Sequence, residues 1–151
     1  MTSPTPTEQQ AALFGSVFLL AQYLARRADQ ALEPLGLTTK QWLLLAVLVK
    51  RFPGERPTLS AAAAAYGSSR QNVKQIARQL EARGFLSLHP DAEDRRALRL
   101  GLTARVAEFD APARRAEQEA FLAEICAALD PAEMGQLLGL LQRWLDALAP
   151  R

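Results

Sequence analysis

The chain holds one cysteine, Cys126, and one histidine, His89, among its 151 residues. A lone thiol excludes an intrachain disulfide, and a reducing interior is the simplest compartment. Two such residues cannot supply the roughly four nitrogen and sulfur ligands of a structural zinc site. No metal and no cofactor is therefore expected. Nowhere do about 18 apolar residues follow one another, so no membrane-spanning helix is expected either. Internal repeats, glycine-rich catalytic loops and a recognisable nucleophile–base pair are also missing, which argues against an enzyme. The opening Met1-Thr2-Ser3-Pro4-Thr5-Pro6-Thr7 has neither a basic flank nor an apolar run. It reads as a disordered tail over residues 1–7 rather than a signal peptide. These absences together point to a cytoplasmic protein.

What is present is a chain with 49% hydrophobic and 23% charged residues, enough for one folded domain over residues 8–151. The formal net charge of +2 says little about partners. Its distribution says more, because residues 66–105 carry a net +4 and the remainder −2. A basic middle on a near-neutral chain is a localised electrostatic footprint.

Helical periodicity organises most of the rest. From Glu8 to Glu33, apolar residues recur at helical spacing until Pro34 and Gly36 end the run. Thr38 or Thr39 can cap a second helix, whose inner face reads as Trp42, Leu45, Ala46 and Val49. Thr58 caps a short alanine-rich helix that Gly67 terminates. A fourth helix follows from Ser69 to Arg83, with Gly84 just beyond it. Its apolar residues Val73, Ile76, Ala77 and Leu80 fall on one face. Gln71, Lys74, Gln75 and Arg78 fall on the opposite face, at about 100° per residue. Ser68 reads as the cap, with Gln71 either folding back onto the helix start or reading DNA.

Phe85-Leu86-Ser87-Leu88 and Leu98-x-Leu100-x-Leu102 read as two strands of a hairpin, joined by an acidic turn and followed at its tip by Arg95 and Arg96. Asp94 can orient one of these arginines through a charge-assisted hydrogen bond. Thr103 opens a further helical region in which Pro112 predicts a kink or restart near Asp110. Asp130-Pro131-Ala132-Glu133 predicts a sharp start for the last helix.

A short helix, a glycine turn, a polar-faced helix and a hairpin with an arginine tip form one device for gripping DNA. Arginine, lysine and glutamine contact phosphates and base edges. A narrow minor groove attracts projecting arginines. The bland readings are a solvated helix face and a surface ion-pair cluster.

At this point the chain resembles the multiple-antibiotic-resistance regulator (MarR) family of bacterial transcription factors. The resemblance rests on Asp94-Arg95-Arg96-Ala97-Leu98-Arg99-Leu100-Gly101-Leu102-Thr103, on Leu80-Glu81-Ala82-Arg83-Gly84-Phe85-Leu86, and on Thr38-x-x-Gln41-Trp42-x-x-Leu45. It implies a mainly α fold, six helices with a two-stranded β-hairpin wing. The winged helix-turn-helix lobe would span about residues 38–103. Helices over about 8–33 and 104–149 would form a homodimer. It places Ser69, Arg70, Gln71, Lys74, Gln75 and Arg78 against DNA, with Arg96 in the minor groove beside Arg95 and Asp94 as its partner. Lys74-Gln75 stands where many relatives carry Thr-Arg, so an operator sequence does not transfer.

The resemblance also implies a cleft for a small aromatic anion, which Gln22, Tyr23, Arg26 and Trp42 would line. Phe14, Phe18 and Trp42 read first as core at helical spacing. Cys126, in an apolar stretch without basic neighbours, reads as a buried, inert thiol. The expected function is a sequence-specific transcriptional regulator, a repressor bound to a pseudo-palindromic operator as a homodimer and released by an aromatic effector. The alternative is a winged-helix protein-interaction module without operator binding.

Overall fold

The structure, a computed structural model, describes residues 4–149. Two compact units divide between Thr39 and Lys40.

The first unit is dominated by helix α1, Pro6–Leu32. Thr5 and Glu8 form a reciprocal cap: Glu8 N–H donates to Thr5 Oγ1 at 3.3 Å, and Thr5 N–H donates to Glu8 Oε2 at 2.7 Å. With Pro6 at the first helical position, this cap starts the helix two residues earlier than the expected Glu8. Pro6 and Thr7, expected within the tail, are helical, and residues 1–3 lie outside the described residues. A 3₁₀ turn, Glu33–Leu35, follows, and Gly36 leaves it with φ 66°.

The second unit contains α2 (Thr39–Arg51) from its second residue on, α3 (Leu59–Tyr66), α4 (Arg70–Ala82), β1 (Leu86–Pro90), β2 (Leu98–Leu102), α5 (Pro112–Ile125) and α6 (Pro131–Leu148). The expected six helices and two-stranded hairpin are all present. Phe85, Leu44, Leu48, Leu80, Leu100 and Val73 are the largest fully buried side chains. They come from α2, α4, β2 and the exit of α4, so the core lies directly beneath the polar face of α4.

The inner face of α2 differs from the expectation. Gln41, Leu44, Leu45 and Leu48 are buried, whereas Trp42 is 40% and Val49 48% exposed. The buried stripe is rotated because the polar Gln41 is tolerated inside, where its Nε2 donates to Gln79 Oε1 on α4 at 3.0 Å.

The hairpin pairs antiparallel, with Leu86 opposite Leu102 and Leu88 opposite Leu100. Beyond it, Ala104–Asp110 is a 3₁₀ helix and α5 restarts at Pro112. The missing N–H of Pro112 costs nothing in a first turn. Asp130 and Glu133 close a capping box at the start of α6, with amide–carboxylate distances of 2.8 and 2.9 Å.

Helices α1, α5 and α6 contain no buried residue. Phe14 and Phe18, expected in the core, are 62% and 60% exposed and stack edge to face at 4.9 Å. Helical spacing correctly groups them on one stripe but cannot say what covers it. Cys126 is half-buried rather than buried. Among the described residues, no single helix is long and apolar enough to cross a membrane.

Candidate nucleic-acid interface

Helices α3 and α4 meet at Gly67, whose φ of 75° is the left-handed conformation that glycine adopts without penalty. Thr58 caps α3 through Ala61 N–H at 3.1 Å. The cap of α4 is Ser69, which accepts from Asn72 N–H at 3.1 Å, not the expected Ser68. Ser68 Oγ instead accepts from Asn72 Nδ2 at 2.8 Å. The one-residue shift puts Gln71 at the second helical position, not the third from which a capping box closes. Gln71 is exposed.

Burial of Val73, Ile76, Ala77 and Leu80 fixes the rotation of α4. The face turned away is the one expected. Gln71, Lys74, Gln75, Arg78, Gln79 and Ala82 line one shallow depression along it. Lys74 is half-buried; Gln71, Gln75, Arg78 and Arg70 are exposed. The exit of the helix is tightly held. Gly84 turns with φ 79°, the Thr103 hydroxyl donates to Gly84 O, and the Arg105 guanidinium donates to Arg83 O. Arg105 also sits 4.5 Å over the Phe85 ring, a cation–π contact.

In the wing, Arg95 and Arg96 are exposed in the loop between β1 and β2. Asp94 does not pair with a guanidinium as expected. Its Oδ1 accepts the backbone N–H of Arg96 at 3.0 Å, and Ala97 N–H returns to Asp94 O at 2.9 Å. The short turn puts the amide, not the side chain, within reach.

The sequence reading missed Asp91 and Arg99. Asp91 Oδ1 accepts from the amides of Glu93 (2.9 Å) and Asp94 (3.1 Å), and Oδ2 is paired with Arg99 Nε. Those two amides, then the Arg99 guanidinium, hold the Asp91 carboxyl below the usual carboxylate range. Aspartate at the head of a turn was the signal available.

Among the described residues, no carboxylate forms an ion pair with Arg70, Lys74, Arg78, Arg95 or Arg96, whereas Arg99, Arg105, Arg114 and Arg115 all have one. Lys50, Arg51, Arg83 and Arg143 likewise have no such pair among the described residues, so what sets the first five apart is their place, on the outer face of α4, at its start and at the wing tip. Gln22, Tyr23 and Arg26 are exposed along α1 in the first unit, and Trp42 is exposed on α2.

The sequence model of the MarR family matches residues 35–97. A curated relative, the transcriptional activatory protein BadR of Rhodopseudomonas palustris, is 30% identical over 91 residues, 60% of this chain. The matched segment spans about half, 52%, of that relative's length. Among solved structures, Bordetella bronchiseptica BpsR, whose DNA binding is regulated by 6-hydroxynicotinic acid, superposes with a TM-score of 0.72. It is 22% identical, and the match covers 88% of this chain and 98% of that one. A mutant MarR from E. coli, complexed with operator DNA, gives a TM-score of 0.74 at 17% identity. That match covers 94% of this chain and 99% of the other. The winged helix-turn-helix segment of this chain thus belongs to the MarR family, within a chain that has the fold of that family's solved members.

Proposed function

We propose that the protein is a sequence-selective DNA-binding transcriptional regulator that acts as a homodimer in the cytoplasm. The observation that carries this is the gathering of five cations without carboxylate partners on α4 and at the wing tip. A surface ion-pair cluster would neutralise Arg95 and Arg96, and a merely solvated helix would scatter its charges. Here Arg70, Lys74, Arg78, Arg95 and Arg96 stand without carboxylate partners among the described residues, gathered on the outer face and start of α4 and at the wing tip. Such cations suit phosphates and minor-groove edges. Ser69 at the helix cap and Gln71 and Gln75 on the outer face supply neutral donors and acceptors to phosphate and base edges. Asp94 shapes the turn that presents Arg96. The operator-bound relative supports the same use of the fold.

Dimerisation follows from the exposed apolar stripes of α1 and α6. Leu13, Phe14, Phe18, Leu138, Leu145 and Leu148 are each at least half exposed. A second copy covers them and presents two winged lobes to a pseudo-palindrome. Stable interfaces of this obligate kind bury more than roughly 2,000 Å².

A small aromatic anion is the proposed effector, with Gln22, Tyr23 and Arg26 on α1 as the residues proposed to hold it. The BpsR relative's regulation by a hydroxylated aromatic acid supports that class. The ligand acts only by binding one lobe spacing better than another. Two lobes on an operator obstruct transcription, which supports repression, while the curated relative carries an activator's name. Enrichment of bound fragments from the source genome, followed by a reporter fusion to the enriched promoter, tests binding and sign together.

A further inference from the structure

We propose that Asp91 and Arg99 are positioning residues that preset the wing, holding the Arg95–Arg96 tip where DNA would meet it. The proposal rests on the DNA-binding reading above. A two-stranded hairpin alone is marginal in water. Here the loop, β2 and the segment before α3 are tied by one carboxylate and one guanidinium.

Asp91 follows β1 directly and is only 8% exposed despite its charge. Its Oδ1 takes the amides of Glu93 and Asp94, and its own N–H donates to Ala97 O at 2.9 Å, closing the loop from the far side. Its Oδ2 pairs with Arg99 Nε on β2. The Nη1 of the same guanidinium donates to Arg56 O at 2.9 Å. Backbone pairing continues the link, since Thr58 bridges to Arg99 and Leu100 N–H donates to Pro57 O at 2.9 Å.

Gly101 gives Arg56 room. A Cβ there would lie 3.0 Å from Ser87 Oγ and 3.3 Å from Arg56 Nε. The wing is therefore anchored against the chain entering α3, and α3 in turn precedes the recognition helix α4.

Arg95 and Arg96 lie at the tip of this anchored loop. A loose tip loses conformational freedom when it enters a groove, and that loss weakens binding. A preset tip avoids it. A half-exposed ion pair contributes little by itself. The two amides donated to the same carboxylate make Asp91 the keystone, since charge-assisted hydrogen bonds are the stronger kind.

The test uses the full chain and a duplex that the parent protein selects from a randomised pool. Asp91→Ala is compared with the parent in two ways, with circular dichroism as the folding control. The first is tryptic cleavage after Arg95 and Arg96 without DNA, expected to accelerate on the order of tenfold. The second is affinity for the selected duplex, measured in three backgrounds. In the parent background the loss should be about fivefold or more. In an Arg96→Ala background it should shrink to less than about twofold, because the tip no longer has its anchor to misplace. In a Lys74→Ala background it should persist in full.

A purely structural role would weaken binding alike in all three backgrounds, and that outcome overturns the proposal. So does unchanged cleavage, which leaves the DNA-binding reading intact. A parent that selects no duplex sinks the DNA-binding reading and the positioning role together, whatever the cleavage shows. If Asp91→Ala does not fold, Asp91→Asn, which keeps an acceptor for the two amides and loses the charge, decides by the same measurements.

Discussion

Gln41 Nε2 on α2 donates to Gln79 Oε1 on α4 at 3.0 Å, and Gln41 is 4% exposed. A buried amide is tolerated only when its hydrogen bonds are made. This one ties the scaffold helix to the helix that carries the side chains proposed to face DNA. Gln41→Leu removes the partner of Gln79 and should destabilise the protein by about 1–2 kcal/mol. Urea unfolding measures the loss, and an unchanged midpoint contradicts the assigned role.

The exit of α4 supports a second prediction. Gly84 adopts φ 79°, and a Cβ there would meet only the Arg105 side chain, at an ordinary 3.7 Å. The cost of Gly84→Ala is therefore conformational rather than steric, about 1–2 kcal/mol for a left-handed non-glycine residue. Gly101→Val has the opposite cause. That backbone is open to any residue, but the added atoms crowd Ser87 and Arg56. Overpacking there should cost about 1–3 kcal/mol. Thermal or urea denaturation of both variants tests both causes.

Acid titration tests the wing loop. The folded-state carboxyl of Asp91 lies below its unfolded value, through the amides of Glu93 and Asp94 and the Arg99 guanidinium. Such a group stabilises the fold fully above the unfolded pKa of about 3.9, and the contribution is lost as pH falls through the lowered folded value. The stability difference between the parent and Asp91→Asn should stay flat from about pH 7 to 5 and shrink below about pH 4. An equal difference at about pH 3 and about pH 7 contradicts it.

Oligomeric state tests the apolar stripes. Leu145 is 61% exposed on α6. Leu145→Arg puts a charge on a surface that the proposal buries between copies, and an unpaired buried charge is strongly unfavourable. Light scattering at micromolar concentration should show a dimer for the parent and its loss in the variant. A folded parent monomer rules the assembly out.

Much of the scaffold was legible because its signals are local. Gly67, Gly84, Pro112 and the Asp130/Glu133 box each act within a few residues, and each does in the structure what its chemistry demands. The polar face of α4 was legible for the same reason, since Val73, Ile76, Ala77 and Leu80 set its rotation. The failures involve partners distant in sequence or one residue out of place. Gln41 was left out of the expected inner face of α2 because its partner lies 38 residues away. Ser68 and Ser69 are both competent caps, and only the helix start distinguishes them. Asp91 and Arg99, eight residues apart, looked like ordinary loop and strand charges until the hairpin brought them together. Phe14 and Phe18 looked like core because a stripe records that something covers it, but not what.

The most direct test of the central claim is affinity for a selected duplex, measured across salt concentration for the parent and for Arg96→Ala, Lys74→Ala and Arg78→Ala. The parent should enrich a pseudo-palindromic sequence, with log affinity falling by about 0.9 per phosphate contact for each tenfold rise in salt. Arg96→Ala removes one anchor from each wing of a dimer. At about 1–3 kcal/mol per anchor, its loss should exceed roughly tenfold. Lys74→Ala and Arg78→Ala should each either relax preference at one symmetric position pair or flatten the salt slope by about one contact. All three should keep the parent's circular dichroism, because none of these side chains belongs to the buried set of α4. A parent that enriches no sequence, or three folded variants that bind the selected duplex as the parent does, would contradict the account.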